Sequence, residues 1–517
     1  MVAPFLRFGD HPSGEPATVE DAGEMRRLAV ETFGGLIHVE WDPQAAVTAL
    51  GGLPFFVEYL KQAGLFEPWV ADCPLVYTSP NGSSKRDVLG TVLLSVLAGH
   101  KRYAHIAQVR GDGVNPGYLG MTKVVSEDTV RRALKAIDEA AGTAWLQRHL
   151  DYVWRPLLGE PWILDVDSTV KPLYGHQEGA EIGYNPKKPG RPSHVYHSYM
   201  IAELRLILDV EVEAGNRHGS MHAAPGLWSL LDRLGRDNWP ALLRGDADWG
   251  TERIMSRAEA EGVTYLFKLR ATANVKRLIA KAMGEGEWVD AGHGWQGKEG
   301  TLRLQGWSRD RRVVVLRRKL RRELALTERR DDGAQRLLGF AEVGADRELY
   351  ETAVLVTSSD AEVLTLGQLY RDRGNAENAF DELKNHWGWG GFVTHDLKRC
   401  RLMARMVALI YDWWSLFARL ADPERHAEAI TSRPLLLHAV AEETRHAGQT
   451  TLTVTSSHAR WRQVQRAMAR LVAFFGTLSR TAEQLTALER WCRILSRALV
   501  KYLKGRVLKP PDVYLPA

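Results

Sequence analysis

The spacing of hydrophobic residues changes along the chain, and each change marks a different kind of element. From residue 44 to about 150 apolar residues recur at helical spacing, as in DVLGTVLLSVLAG, which predicts a helical N-terminal domain. From about residue 161 three apolar runs separated by turn-forming residues, PWILDVDSTV, HVYHSYMIAEL and RLILDVEVEAG, predict three strands. The chain is therefore expected to be mixed α/β.

Helical and strand patterns then alternate. A helical stretch at about 221–234 precedes the strand ALLRGDADW, the helix TERIMSRAEAEG and the strand VTYLFKLR. Three consecutive strands followed by alternating helix and strand is the order of an RNase H-like domain. The expected regions are an N-terminal arm (1–43), a helical DNA-binding domain (44–155), the first part of an RNase H-like core (156–284), a β-rich insertion (285–357), the second part of the core (358–396) and a helical C-terminal region (397–517).

Length and composition agree with a globular protein of two to four domains. The chain has 517 residues, 45% of them hydrophobic and 25% charged, so it is not of the disordered class. The formal net charge is only +5. A small net charge with local basic clusters is compatible with DNA binding.

The cysteines and the lengths of the apolar runs indicate in which cellular compartment the protein is expected. Cys73, Cys400 and Cys492 lie far apart and form no C-x-x-C pair, so neither a disulfide framework nor a thiolate zinc site is indicated. The N-terminal sequence carries no secretory pattern. The longest apolar stretch, Val88 to Gly99, is about half of what spans a bilayer. We expect a cytoplasmic protein that is not embedded in a membrane.

The segment YRDRGNAENAFDELK carries the strongest chemical signal. Tyr370, Arg373, Glu377 and Lys384 are separated by three, four and seven residues, which on one helix places them in a stripe roughly 60° wide. A carboxylate flanked by cations suits metal-dependent phosphoryl transfer, because the acid holds the metal and the bases hold phosphate oxygens. Solvated ion pairs on a surface helix are the alternative interpretation.

The spacing Y-x2-R-x3-E-x6-K resembles the signature of a large group of bacterial insertion-sequence DDE transposases. The resemblance implies a site with two Mg²⁺ ions, or Mn²⁺, held by three acids, and a β-rich insertion between the second and third acid. It also implies that Tyr370, Arg373 and Lys384 grip the phosphate beside the cleaved bond. Asp381 shares the helix stripe, and only the resemblance favours Glu377 as the third acid.

Two further acids are expected from separate strands, and each strand offers a pair. Asp165 and Asp167 lie on one strand face, so periodicity cannot choose between them. The family's first acid begins an Asp-Ser/Thr-Thr sequence, which implies Asp167. Asp246 and Asp248 both lie near the end of ALLRGDADW, and the resemblance implies Asp246. The implied metal ligands are therefore Asp167, Asp246 and Glu377.

Basic and aromatic side chains elsewhere are candidates for DNA contact. A helix beginning near Ser126 presents a basic face that suits a recognition helix or plain solvation, and a proline-rich loop and a basic strand add further cations. The loop YNPKKPGRPSH resembles the branch of these transposases named after an acetic acid bacterium element. The candidates are Arg131, Arg132, Lys135, Lys187, Lys188, Arg191, Arg317, Arg318 and, for stacking on a flipped base, Trp307, for which core packing is the alternative.

These features predict a DNA transposase that works by cut and paste. The resemblance implies nicking at each transposon end, hairpin formation and resolution, and strand transfer. The expected partners are duplex DNA, as terminal inverted repeats and target, and a second copy in a homodimer, with no small-molecule substrate. The alternatives are an RNase H-like nuclease such as a resolvase, and an inactive transposase-derived DNA-binding protein.

Overall fold

The computed structural model describes residues 28–511 except 43, 78–80, 202, 285, 321–325, 330–334, 338–340, 344–347, 425, 456–458 and 482–483. The chain divides into two compact units, Met1–Ala45 and Ala46–Ala517. The described part of the first unit is a hairpin of β1 (Leu28–Thr32) and β2 (Gly35–Val39). Gly35, at φ +108°, begins β2 directly after the turn, in a backbone conformation that favours glycine. The sequence predicted only an arm here.

The second unit begins with the predicted helical domain. Ser84 and Ser126 cap two of its helices by accepting the backbone N–H groups of Asp87 and Thr129. Before them lies the short strand β3 (Val47–Thr48). The helices are Leu53–Gln62, Phe66–Ala71, Lys85–Leu97, Ile106–Arg110, Asn115–Tyr118, Glu127–Ala136 and Glu139–Trp154.

A sheet forms the centre of the second unit, and the predicted strands supply its first half. These are β4 (Ile163–Pro172), β5 (Ser193–Ile201), β6 (Leu206–Ala214), β7 (Leu242–Gly245) and β8 (Tyr265–Lys268). The order is β6-β5-β4-β7-β8, in which β4, β7 and β8 are parallel and β5 is antiparallel to both neighbours. The intervening helices are Ser220–Leu234 and Glu252–Ala260, and Ala273–Gly284 follows β8.

The segment predicted to be β-rich forms strands, and most of them extend the same sheet. Its strands are β9 (Val289–Gly292), β10 (Trp295–Leu302), β11 (Arg311–Lys319), β12 (Leu326–Arg329), β13 (Gln335–Leu337), β14 (Ala341–Val343) and β15 (Leu349–Thr357). β15 pairs antiparallel with β8, and β11, β10 and β9 follow it outward. Within the described residues ten strands belong to this sheet, so the segment continues the core.

The remaining helices are Val363–Arg371, Gly374–His386, Leu397–Ala421, Ala429–Leu436, Trp461–Arg480 and Ala487–Ala498. Leu397–Ala421 is almost wholly buried, and Trp413 and Trp414 lie in the core as predicted. None of the described helices is long and apolar enough to cross a membrane.

The C-terminal region is not wholly helical, contrary to the prediction. β16 (Ala441–His446) and β17 (Gln449–Val454) form a hairpin, and β16 also pairs with β3. The turn between them places Ala447 and Gly448 at positive φ. This backbone geometry matches the right-handed twist of a tight hairpin.

Candidate active site

Two neighbouring parallel strands, β4 and β7, bring two of the predicted acids together. The register of β4 and β7 pairs Val166 with Gly245, so Asp167 and Asp246 are the next residues along the two adjacent strands. Asp167 lies within β4, which continues to Pro172, whereas Asp246 is the first residue after β7. Asp246 accepts the backbone N–H of Asp248 at 2.9 Å, which fixes the turn after β7.

Asp167 is buried and lies against a guanidinium. Arg373 donates to its Oδ2, and the backbone N–H of Ser168 donates to its Oδ1 at 2.7 Å. Burial raises the pKa of Asp167 to about 7, the positive charge of Arg373 opposes this, and the negative charges of Asp246 and Glu377 add to it. All three predicted acids are therefore close enough to interact electrostatically.

The segment with the Tyr-Arg-Glu-Lys spacing is two helices, which corrects the prediction of a single helix. Tyr370 lies in the last turn of the helix Val363–Arg371, Arg373 lies in the turn that follows, and Glu377 and Lys384 belong to the helix Gly374–His386. In the turn Arg373 is buried and reaches Asp167, and its Nη1 donates to Glu377 at 3.2 Å. The break therefore places the guanidinium between the first and third acids.

The surroundings of Arg373 and Tyr370 shift the pKa values of both side chains. Burial alone would lower the pKa of Arg373, but the charge of Asp167 raises it above its ordinary value. Burial raises the pKa of Tyr370 to about 12, so its phenol stays protonated and can donate a hydrogen bond.

Asp165 is committed to a different partner. Its carboxylate pairs with Arg244, whose Nη2 lies 2.7 Å from Oδ2, and both side chains are almost fully buried. Arg244 also donates to the carbonyl of Leu369, the residue before Tyr370. This pair joins two strands to the end of a helix, so its geometry is that of a structural tie rather than of an open ligand.

A cleft of about 460 Å³ lies beside the acids. Lys171, Lys187 and Lys384 line it together with Asp167 and Glu377. Burial lowers the pKa of Lys384, and the nearby charge of Lys187 lowers it further. A cleft with acids and closely spaced lysines can take a phosphate group while the acids hold a cation.

Comparison of the sequence with known families identifies the kind of protein to which this cleft belongs. The family described as Transposase DDE domain group 1 matches residues 45–474. The chain belongs to this family of DDE transposases. No curated protein matches the chain.

Seven chains among solved structures match the transposase. One of them is the cryo-EM structure of the piggyBac transposase synaptic complex with hairpin DNA. It is 10% identical, with a TM-score of 0.36, over 92% of this chain and 90% of that chain. This likeness is too distant to assign residues.

The donor set of the transposase suits a divalent cation, although the side chains are not gathered around one. Asp167, Asp246 and Glu377 offer carboxylate oxygens, the ligands that Mg²⁺ and Mn²⁺ prefer. Among the described residues no group of three His, Cys, Asp or Glu side chains is placed to hold a metal ion. Arg373 instead bridges Asp167 and Glu377. The chemistry fits the cation, and the guanidinium occupies part of the space between the acids.

His218, Asp248 and Ser168 form a group beside Asp167 that the sequence did not predict. His218 Nδ1 lies 3.2 Å from Asp248 Oδ2, and His218 Nε2 lies 3.3 Å from Ser168 Oγ. The hydrogen bond from His218 lowers the pKa of Asp248 to about 2, and Arg270 also pairs with this carboxylate. Asp248 thus pairs with His218 and Arg270, whereas Asp246 accepts a backbone N–H. Asp246 is therefore the better candidate for a metal ligand of the two. No spacing rule links the three, since they come from separate elements.

The predicted basic helix is only partly open. Arg131 pairs with Asp128 at 3.0 Å and lies over the ring of Tyr103 at 5.3 Å. Arg132 and Lys135 are exposed. The helix therefore presents two of its three predicted cations to solvent.

The proline-rich loop places its three predicted cations at the surface. Lys187, Lys188 and Arg191 are exposed. Lys188 and Arg191 both lie over the ring of Tyr174, at 5.0 and 4.8 Å. Tyr174 is 68% exposed, so the ring and its two cations form one outward surface next to the cleft-lining Lys187.

The residues predicted to contact DNA on the sheet extension make contacts within the protein, although Arg318 is exposed. Arg317 lies between the rings of Trp288 and Tyr350, at 4.1 and 4.6 Å. Arg318 pairs with Glu351 at 2.6 Å. Trp307 is 7% exposed and packs in the core, with Arg311 over its ring. This placement does not support stacking of Trp307 on a flipped base and agrees with the alternative of core packing.

Lys171 should give the transposase a distinct pH response. Its buried Nζ donates to the Tyr196 hydroxyl at 3.1 Å and to the Gly391 carbonyl, and burial lowers its pKa to about 8. In the unfolded chain a lysine titrates near pH 10.4. Between these values the unfolded state binds more protons, so the free energy of unfolding rises with pH. Relative to Lys171→Met, the wild type should gain thermal stability from pH 7.5 to 9.5, measured by melting curves; parallel curves would contradict this.

Proposed function

We propose that this transposase cuts and joins DNA by in-line phosphoryl transfer at Asp167, Asp246 and Glu377. The observation that supports this most is the contact of Arg373 with both Asp167 and Glu377, with Asp246 following the strand next to Asp167 and a lysine-lined cleft beside them. The strand order β6-β5-β4-β7-β8, with β5 antiparallel, supports an RNase H-like core.

The three acids would hold divalent cations, two Mg²⁺ ions or Mn²⁺. Such ions neutralise charge on the transferring phosphoryl group and make a hydroxyl more nucleophilic when bound. Arg373 neutralises the acids when no cation is present, because its guanidinium contacts both Asp167 and Glu377. Once a cation neutralises them, the same guanidinium is available to a phosphate oxygen.

The remaining signature residues position the DNA backbone. Lys384 and Lys187 lie close together at the cleft and supply charge for phosphates on the strand that enters it. Tyr370 stays protonated and offers a hydroxyl donor beside the acids. These side chains hold the scissile phosphate in line with the attacking oxygen.

The reaction sequence follows from one site acting repeatedly. One strand is nicked at each transposon end, the freed 3′-hydroxyl attacks the opposite strand to give a hairpin, and the reopened end is joined to target DNA. The substrates are the terminal inverted repeats and target duplex, and a homodimer holds two ends together in the bacterial cytoplasm. The hairpin step rests on the Tyr-Arg-Glu-Lys signature.

The experiment that tests this uses an end-labelled duplex carrying the terminal repeat that borders this gene. Wild-type protein is incubated with Mg²⁺ or Mn²⁺ and a target plasmid, and products are resolved on denaturing gels. Hairpin and strand-transfer products are expected. Cleavage without joining would indicate a nuclease or resolvase instead, and specific binding without any product would indicate an inactive DNA-binding protein.

The exposed cations of the basic helix give a separate prediction about binding. Arg132→Ala combined with Lys135→Ala should weaken DNA binding and reduce the slope of log Kd against log salt by about two, since each lost phosphate contact removes about one unit. Fluorescence anisotropy from 50 to 200 mM salt measures the slope. The matched control is Arg236→Ala, an exposed arginine that pairs with Glu261. An unchanged slope would show that Arg132 and Lys135 do not contact DNA phosphates and that this helix face is only solvated.

A further inference from the structure

His218 is the feature beside the cleft that the proposed chemistry does not yet use. It lies in the loop between β6 and the helix Ser220–Leu234 and lines the cleft together with Ser168. Its side chain is 15% exposed, so it is held in place but can be reached from the cleft.

Two contacts fix the orientation of the imidazole. Nδ1 lies 3.2 Å from Asp248 Oδ2, so the proton of the neutral ring belongs on Nδ1, where it is donated to the carboxylate. Nε2 then keeps its lone pair, and it lies 3.3 Å from the hydroxyl of Ser168. The ring of Tyr184 packs against the imidazole, with centroids 4.6 Å apart. The lone pair is therefore directed toward the hydroxyl that follows Asp167.

Charged and titratable groups surround the ring on several elements. Asp248 is held in turn by Arg270, and the carbonyl of Asp248 accepts from Ser220. His218 contacts Asp248, Tyr184 and Ser168, Arg270 lies beyond Asp248, and the charge of His218 acts on His197. Asp248 is the one anion among them, and it contacts Nδ1, so Nε2 is the nitrogen left for chemistry in the cleft.

We propose that His218 accepts the proton of the attacking water molecule in the nicking step. This rests on the proposed function and adds a group to it. As the water oxygen bonds to phosphorus, its O–H bond breaks and the proton passes to Nε2, in the place where the Ser168 hydroxyl now donates. The phosphorus–O3′ bond breaks, the 3′ oxygen takes a proton from water, and the imidazolium returns its proton to solvent. Asp248 stabilises the imidazolium and keeps the ring oriented.

The test compares His218→Gln and His218→Ala with His222→Gln, a matched control on the following helix. DNA affinity is measured with Ca²⁺, and the single-turnover rate of nicking of the end-labelled terminal-repeat duplex is measured with Mg²⁺. Both His218 variants should bind DNA within about twofold of wild type and nick it about a hundredfold more slowly. His222→Gln should match wild type in both.

Two further readouts separate proton transfer from a structural role. Added imidazole should raise the nicking rate of His218→Ala by about tenfold or more. The decrease in rate that wild type shows at low pH should be absent in His218→Gln. Nicking by the variants at the wild-type rate would overturn the proposal, as would a loss of rate that imidazole does not restore and that leaves the decrease at low pH in place. If wild type nicks nothing with either metal, the proposed function fails and the role of His218 falls with it.

Discussion

Glu377→Gln is expected to abolish strand nicking while leaving the fold intact. In the proposed site the change replaces a charged metal ligand with a neutral amide of the same shape, and a ligand of a catalytic cation contributes several kcal/mol to the transition state. The nicking rate should therefore fall by about a thousandfold or more. The Glu377 side chain is 69% exposed, so the melting temperature should change little. Single-turnover nicking and thermal denaturation measure the two effects.

Asp381→Asn is the matched control for that experiment. Asp381 lies one turn further along the same helix, lines the same cleft and accepts from Asn385 at 2.7 Å. Unlike Glu377, it is not in contact with Arg373 in the described structure. It should retain nicking within about threefold of wild type, because a surface carboxylate outside the metal site contributes little. Full activity in Glu377→Gln together with loss in Asp381→Asn would move the third acid to Asp381.

The sequence predicted the elements of this chain well wherever an element is buried. The strands β4 to β8 and the long helix Leu397–Ala421 lie in the core, and their burial leaves apolar runs in the sequence that turn-forming residues separate. The hairpins at β1–β2 and β16–β17 were missed because most of their residues are exposed, so no apolar alternation marks them.

The site required information that no local pattern contains. The choice between Asp165 and Asp167 depends on Arg244, which comes from a strand about 80 residues away and neutralises Asp165 in the core. The break at Arg373 was missed because the sequence there is compatible with a continuous helix, and it is the burial of the guanidinium against Asp167 that favours the turn. His218 was missed because its partners Asp248 and Ser168 are distant in the sequence and come into contact with it only in the folded protein.

The salt bridge between Asp165 and Arg244 should be the most stability-sensitive contact beneath the site. Arg244→Met leaves the buried Asp165 carboxylate without a cation, and breaking one partner of a buried pair costs about 3–5 kcal/mol. Burial already raises the pKa of Asp165 with Arg244 present. We therefore expect Arg244→Met to lower the free energy of unfolding by that amount, measured by urea denaturation followed by circular dichroism.

Two comparisons test whether burial of the pair is the cause. Arg236→Met removes an arginine whose partner Glu261 is exposed, and such a pair contributes at most about 1 kcal/mol. Asp165→Leu combined with Arg244→Met removes both charges and should recover most of the lost stability, because no unpaired charge remains buried. Nicking should stay impaired in that double variant, since it lacks the hydrogen bond from Arg244 to the Leu369 carbonyl, which anchors the end of the helix just before the turn that contains Arg373. Equal stability of Arg244→Met and wild type would contradict the argument.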